Sequence, residues 1–436
     1  MKKLLIYLFL NILCFSSFGQ GTAYITKSPV CGYSKMIRQY KQYPGYHVVY
    51  FTDSILDNKG YIGITDVYNN IKYIQICQDC TIKDIEVLDD YAFFCGQTST
   101  NNGVLGWVDL YTMTVTIDSS SRFASFFMDN IEAYKDVAAN NIHIVGYGTT
   151  TSGYVGFDYN IQTNSFRYCQ LQYLPRDITL TDNFFVFAGD LSNIGSNNKI
   201  VIQPFPKNVT FPLAYSPYYT YTVGTPLVNE PYNNHLKVVN IGDDAVATLT
   251  HNLDIANGIY GMVIRKFDVS HAFINYSIPM TASYQAKYNY SIGDFYDFRY
   301  DVTSMTYLVF QNYEVATSSF QDVVTKINFS SGIPTTVSSD YLALSYQVMK
   351  SMSLSDGAKY VVYGYDAYSK ANMFWKDFQN TAVLGTCLSS DVLPFNVISG
   401  IPENVIGASY LPIPIIPSLN SNSAYPISER IFTICH

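Results

Sequence analysis

Short alternating apolar stretches separated by polar turns run through this chain from about residue 40 to residue 390. Ile82 to Val87 alternates apolar and polar, Asp89-Asp90 supplies a turn, and Tyr91-Ala92-Phe93-Phe94-Cys95-Gly96 follows as a strand. Gln97 to Asn102 is polar and reads as a loop. Gly103 to Asp109 and Met113 to Ile117 then read as third and fourth strands. The next stretch has the same layout: a turn at Asn140-Asn141, a strand at Ile142 to Gly146, a loop at Thr149 to Ser152 and a third strand at Gly153 to Asp158. No segment keeps a 3.6-residue apolar period for three turns, so no helix is predicted.

A phrase of glycine, two apolar residues and glycine marks the repeat. It occurs at Gly60-Tyr61-Ile62-Gly63, Gly103-Val104-Leu105-Gly106, Gly153-Tyr154-Val155-Gly156 and Gly258-Ile259-Tyr260-Gly261. Gly103 and Gly106 lie 7 and 10 residues after Gly96, and Gly153 and Gly156 lie 7 and 10 after Gly146. This suggests that Gly96 and Gly146 are equivalent. The glycines suit tight turns and close packing of adjacent units. Weaker copies place third strands near residues 60, 103, 153, 199, 258, 321 and 371. A period of about 50 residues built only from short strands predicts an all-β β-propeller, with seven four-stranded blades and six or eight as alternatives.

Pro204 to Pro217 and Pro394 to Pro417 read as long connections between strands. Ile427 to Ile434 reads as a last strand, expected to join residues near the mature N-terminus and so remove an exposed edge.

Met1-Lys2-Lys3, the apolar run Leu4 to Phe15, and small residues at Ser17 and Gly19 form a secretory signal pattern. Cleavage is expected after Gly19, leaving residues 20–436 as one propeller domain. The apolar run of 12 residues is short of the ~20 that a spanning helix needs. Leu13 before Cys14 does not fit lipoprotein processing. The apolar stretch Leu393 to Leu419 carries five prolines and cannot span as a helix, so no membrane span is expected.

Composition narrows the partners. Without Lys2 and Lys3 the chain has 24 Lys+Arg against 34 Asp+Glu. An acidic chain with no basic run argues against nucleic acid and against anionic membrane surfaces. Charged residues are only 14% of the chain, and 40 Tyr with 27 Phe suit strands whose surface is carried by neutral polar groups. Oligomeric state is not encoded in any pattern found.

Seven cysteines follow the signal: Cys31, Cys77, Cys80, Cys95, Cys169, Cys387 and Cys435. The odd count leaves at least one unpaired. Cys77-x-x-Cys80 has half of a zinc-site spacing but no second pair, which leaves a local disulfide or buried thiols. If the chain ends meet, Cys31 and Cys435 are candidates for a clasp; the alternative is two unrelated thiols.

At this point the chain resembles a secreted seven-bladed β-propeller, and Phe18-Gly19-Gln20 is similar to the signal endings of exported Bacteroidetes proteins. It lacks the Gly-His and Trp-Asp signatures of WD40 repeats, the Gly-Gly pairs of kelch repeats and the Ser-x-Asp-x-Gly boxes of sialidases. The resemblance therefore implies a fold and export, and no activity.

Catalytic motifs are sparse. There is no Gly-x-Ser-x-Gly, no calcium loop and no phosphate loop, so no cofactor or metal is expected. His47 and His143 fall within strands, and His235, His251 and His271 lack sequence neighbours that would orient them as bases. Asp190, Asp254, Glu314 and Asp366 fall where second strands turn into third strands, a placement compatible with a glycosidase pair. The same class of loop is expected to gather Tyr147, His251, Asp254, Tyr313, Glu314, Tyr365, Asp366, Tyr368 and Lys370 at one end. Aromatic faces beside polar groups suit sugar rings or peptide. The expected function is a non-catalytic exported propeller that binds a glycan or protein at the cell envelope. An envelope glycan hydrolase or lyase, or a structural subunit of an envelope assembly, is the alternative.

Overall fold

The computed structural model describes residues 21–26, 33–39, 47–53, 59–65, 70–77, 80–118, 123–190, 199–207, 215–222, 236–254, 259–272, 278, 280–288, 292–316, 319–328, 335–342, 347–355, 359–366, 371–377, 388–391, 395–397, 405–409, 420–423 and 426–435. Every named element among them is a strand. After β1 (Gly21–Thr26) the described strands up to residue 377 run as seven successive antiparallel meanders in six sheets, the first and seventh sharing one nine-stranded sheet. The first is β2 (Tyr33–Gln39), β3 (His47–Asp53), β4 (Lys59–Thr65) and β5 (Asn70–Cys77). The second is β6 (Cys80–Leu88), β7 (Tyr91–Thr98), β8 (Gly103–Asp109) and β9 (Thr114–Asp118). The third is β10 (Phe127–Asp136), β11 (Asn141–Thr150), β12 (Gly153–Asn160) and β13 (Ser165–Gln170). The fourth is β14 (Leu174–Leu180), β15 (Phe184–Asp190), β16 (Lys199–Pro206) and β17 (Tyr215–Thr222). The fifth is β18 (Lys237–Gly242), β19 (Ala245–Asp254), β20 (Ile259–Asp268) and β21 (Met280–Tyr288). The sixth is β22 (Ile292–Asp301), β23 (Thr306–Ala316), β24 (Ser319–Asn328) and β25 (Thr335–Leu342). The seventh is β26 (Gln347–Ser355), β27 (Lys359–Asp366) and β28 (Ala371–Asp377), with β1 as its fourth strand.

The rest of the chain retraces the sheets in reverse. β29 (Leu388–Asp391) pairs with β25, β30 (Phe395–Val397) with β21, and β31 (Val405–Ser409) with β17. β32 (Asn420–Ser423) pairs with β9, and β33 (Pro426–Cys435) lies between β5 and β1. Each added strand covers an outer edge that would otherwise present unpaired amides. The two ends of the chain share a sheet, with Ala23 opposite Cys435; Cys31 lies outside the described residues.

The cores lie between successive sheets. β15 shows why: its seven residues are all buried. Phe185 and Phe187 pack toward the third meander with Tyr134, Val145 and Tyr147, while Phe184, Val186 and Ala188 pack toward the fifth with Val238 and Val246. Alternate side chains leave a strand on opposite faces, so a continuous apolar run is what a strand between two neighbours requires. Similar clusters join the first and second, the second and third, and the fifth and sixth meanders. First strands pack on first strands: β2 on β6, β6 on β10, β10 on β14, β14 on β18, β18 on β22, β22 on β26, and β26 on β2.

Two sequence expectations are corrected. Pro204 and Pro206 lie inside β16 and Pro217 inside β17, and β30 and β31 fall within the second proline-rich stretch. Proline lacks an amide hydrogen but keeps its carbonyl, so it is admitted where the neighbouring strand does not need that hydrogen. Gly146 is not the equivalent of Gly96. Gly96 pairs with Ile82 and Gly148 with Met128, each just before a bulge, because the turn after β11 has two residues and that after β7 has four.

Cys77 and Cys80 form a disulfide between the end of the first meander and the start of the second, with Cα atoms 5.9 Å apart. Cys95 and Cys169 are buried free thiols. No helix among the described residues is long and apolar enough to cross a membrane.

Candidate binding site at the first-strand bulges

Six of the seven first strands carry a one-residue bulge near their start. The extra residue is Lys35 in β2, Lys83 in β6, Asp129 in β10, Arg176 in β14, Lys350 in β26 and Tyr296 in β22, where a further shift lies between Ile292 and Phe295. A bulge kinks its strand and re-aims side chains. In four sheets a glycine faces the residue just before the bulge: Gly96, Gly148, Gly189 and Gly364. A Cβ on Gly96, Gly148 or Gly189 would overlap the carbonyl oxygen of Thr81, Phe127 or Leu174. In these four sheets the kink and the glycine come as a pair.

The residue after the bulge ties neighbouring sheets together. Buried Asp84 accepts from the amide of Ile85 through Oδ1 (2.8 Å) and from that of Ile131, on β10, through Oδ2 (2.9 Å). Asp177 repeats this on β14: Oδ2 accepts from the Val238 amide on β18 (2.9 Å), and Asn130 donates to Oδ1 (3.5 Å). Thr179 Oγ1 accepts from the Asn240 amide (3.1 Å). Both contacts between β14 and β18 join residues 61 apart, as parallel strands in register do. Asp297 accepts from Phe298 (2.8 Å) and pairs with Arg299 (3.1 Å). Burial pushes the Asp177 carboxyl above its ordinary value, and Asp297 adds to this. Lys237 and the amides of Val238 and Ile178 pull the other way.

Among the expected site residues, Tyr147 lies on β11 opposite Asn130 and Gly156. It is buried and edge-on to Phe187 of the next sheet, with centroids 6.4 Å apart. Burial, then Asp177, Asp129 and Asp84, raise its hydroxyl pKa. His251 and Asp254 lie in β19, Tyr313 and Glu314 in β23, and Tyr365 and Asp366 in β27. They are strand residues rather than loop residues, because the second strands extend further than the apolar runs alone suggest. Tyr368 and Lys370 lie outside the described residues. Antiparallel pairing sets Tyr313 opposite Ile292 and Tyr365 opposite Val348. In the sixth and seventh meanders the second-strand ends therefore lie at the same end of the sheet as the bulges.

Asp190 is buried and meets Arg176 Nε at 2.7 Å, so the bulge cation of the fourth meander occupies that carboxylate. Sequence spacing missed a second pairing: His143 Nδ1 is 2.8 Å from Asp158 Oδ1, and Asn160 Nδ2 is 3.1 Å from its Nε2. The β11–β12 hairpin sets His143 opposite Asn160, and Tyr134 stacks on the imidazole at 5.0 Å. Both ring nitrogens are engaged by this structural cluster. His271 does have a carboxylate neighbour, contrary to the sequence reading, because a tight turn follows β20. Its Nδ1 is 3.2 Å from Asp268 Oδ2 and 3.0 Å from Ser270 Oγ. A serine–histidine–aspartate relay needs a different ring nitrogen for each partner, and here one nitrogen meets both. Among the described residues no cluster of three His, Cys, Asp or Glu side chains is arranged to hold a metal ion.

No protein-family model matches the chain, and no curated protein is significantly similar to it. Among solved structures it is similar to the β-propeller domain of the Trilobed protease from Pyrococcus furiosus, described as having an open velcro topology. The identity is 10%, the match covers 80% of this chain and 96% of that one, and the TM-score is 0.40.

Proposed function

We propose that this chain is an exported β-propeller of seven four-stranded blades that binds a glycan at the cell envelope through the end where the first-strand bulges gather. The succession of first-strand contacts, which leads from β2 through β26 back to β2, supports the seven-blade reading. The observation that carries the binding reading is the recurrence of a bulge near the start of six first strands. A repeated kink at equivalent points of strands around a common axis sets polar side chains at one mouth, the usual place for a ligand in a closed β architecture. The ends of β23 and β27, which carry Tyr313 and Tyr365, lie at the bulge end of their sheets, and tyrosine is a residue type suited to sugar rings.

Binding is favoured over hydrolysis because three of the acid and base groups are held by structural partners: Asp84 by two amides, Asp190 by Arg176, and His143 by Asp158 and Asn160. The signal pattern of residues 1–19 and the Cys77–Cys80 disulfide support export.

The experiment is a glycan-array screen of the mature protein followed by calorimetry on the hits. The reading expects binding without bond cleavage, weakened by Tyr313→Ala and Tyr365→Ala. Binding to no glycan, or release of a shorter glycan product, would overturn it. Export is checked by intact mass, which should begin near Gln20.

A further inference from the structure

We infer that the glycan is acidic, carrying carboxylates along its length, and that lysines at the bulges of three adjacent first strands hold it. This rests on the binding reading above and goes beyond it by naming the ligand's charge. Four of the six bulge residues are cationic: Lys35, Lys83, Arg176 and Lys350. Lys and Arg make up 26 of 436 residues, so composition alone would put fewer than one of them at six positions. The chain as a whole is acidic, with a net charge of −8. A concentration of positive charge at one structural position therefore runs against the rest of the molecule.

The cations are not spread evenly. Arg176 is engaged by Asp190. The other three occupy β26, β2 and β6, which pack side by side in that order. Lys350, Lys35 and Lys83 therefore occupy the bulge position of three neighbouring first strands. The next first strand, β10, carries exposed Asp129 at this position, which ends the run of lysines. The adjacent acid Asp84 sets one negative charge against these three lysines, and its oxygens accept from the main-chain amides of Ile85 and Ile131. Lysine is a compact point charge on a flexible stem, whereas arginine is a fixed fork suited to one bidentate anion. Three separated point charges suit single carboxylates repeated along a polymer, as in a polyuronate.

The test is titration of the mature protein with polygalacturonate, neutral dextran, dextran sulfate and poly-glutamate at low and high salt. The expectation is tight binding of polygalacturonate, no binding of dextran, and a loss of about tenfold or more in affinity when salt is raised. The Lys35→Gln/Lys83→Gln/Lys350→Gln variant should lose about tenfold or more, as the removal of three charge contacts implies. The triple Lys→Arg variant should stay within about threefold of the parent, since the charge is kept. The salt response of the unaltered protein decides the matter should the triple variant fail to fold. Dextran sulfate bound more tightly than polygalacturonate would shift the ligand to sulfated glycans and overturn the carboxylate assignment. Poly-glutamate bound as tightly as polygalacturonate would replace glycan by acidic peptide and overturn both readings. Binding of neutral glycans alone would overturn this inference and leave the function proposed above standing. Binding of no glycan would overturn both.

Discussion

Asp84 and Ile131 belong to different sheets, and the main-chain amide of Ile131 donates to the Asp84 carboxylate at 2.9 Å. The same carboxylate accepts from Ile85 at 2.8 Å, so one buried side chain fixes two strands at the bulge. Replacing Asp84 by Ala strands two buried amides and should cost about 2–4 kcal/mol of stability, with Asp84→Asn costing about half as much because one oxygen remains. Urea unfolding measures this. A loss of less than about half a kcal/mol in the Ala variant would show that the contact is not structural.

The Asp177 carboxyl is raised above its ordinary value in the folded protein. The folded state then holds more protons than the unfolded state between the ordinary carboxylate pKa and the raised one. Stability from this group must fall as pH rises through that window and level off above it. Unfolding curves of the parent and of Asp177→Asn, collected across the acid range, should differ by a term that falls with pH. A difference that rises with pH would contradict the sign.

Cys77 and Cys80 should appear as one linked peptide in a non-reduced map. Their replacement by serine should cost about 2 kcal/mol by the chain-entropy model for so short a loop. Cys95 and Cys169 are buried, and burial raises both thiol pKa values. They should alkylate only after unfolding. Alkylation of either thiol in the native protein would contradict their placement. The same map tests the Cys31–Cys435 clasp, which predicts a linked peptide between the chain ends.

Truncation after Asp377 removes β29 to β33 and leaves the outer edges of β5, β9, β17, β21 and β25 unpaired. Open edges of this kind pair with other chains. The shortened protein should aggregate at concentrations where the whole chain is monodisperse by light scattering. A monodisperse, folded product would show that the tail strands are dispensable.

Third strands were legible in the sequence because glycine and apolar clusters mark them. The expected starts at 103, 153, 199 and 371 coincide with β8, β12, β16 and β28, and the others fall within two residues. The retrograde path of the tail was not legible. Prolines at 394, 402, 412, 414 and 417 disguise strands as short as Phe395–Val397, and pairing to distant sheets leaves no local period. The candidate face was legible only as a class of position. Tyr147, Tyr313 and Tyr365 do sit at second-strand ends, but within the strands, and Tyr147 is buried. The bulges escaped notice because an inserted residue shows in the register between two strands and not along one. Lys35, Lys83 and Lys350 are unevenly spaced in the chain and come to equivalent positions only through pairing. The His143–Asp158 contact was missed for the same reason.

Lysine footprinting tests the central claim most directly. The mature protein is acetylated with and without polygalacturonate, and each lysine is read by mass spectrometry. Lys35, Lys83 and Lys350 should lose reactivity when the polymer is bound, while Lys135, at the far end of β10, should not change. Unchanged reactivity at all three bulge lysines, or protection centred on Lys135, would contradict the account.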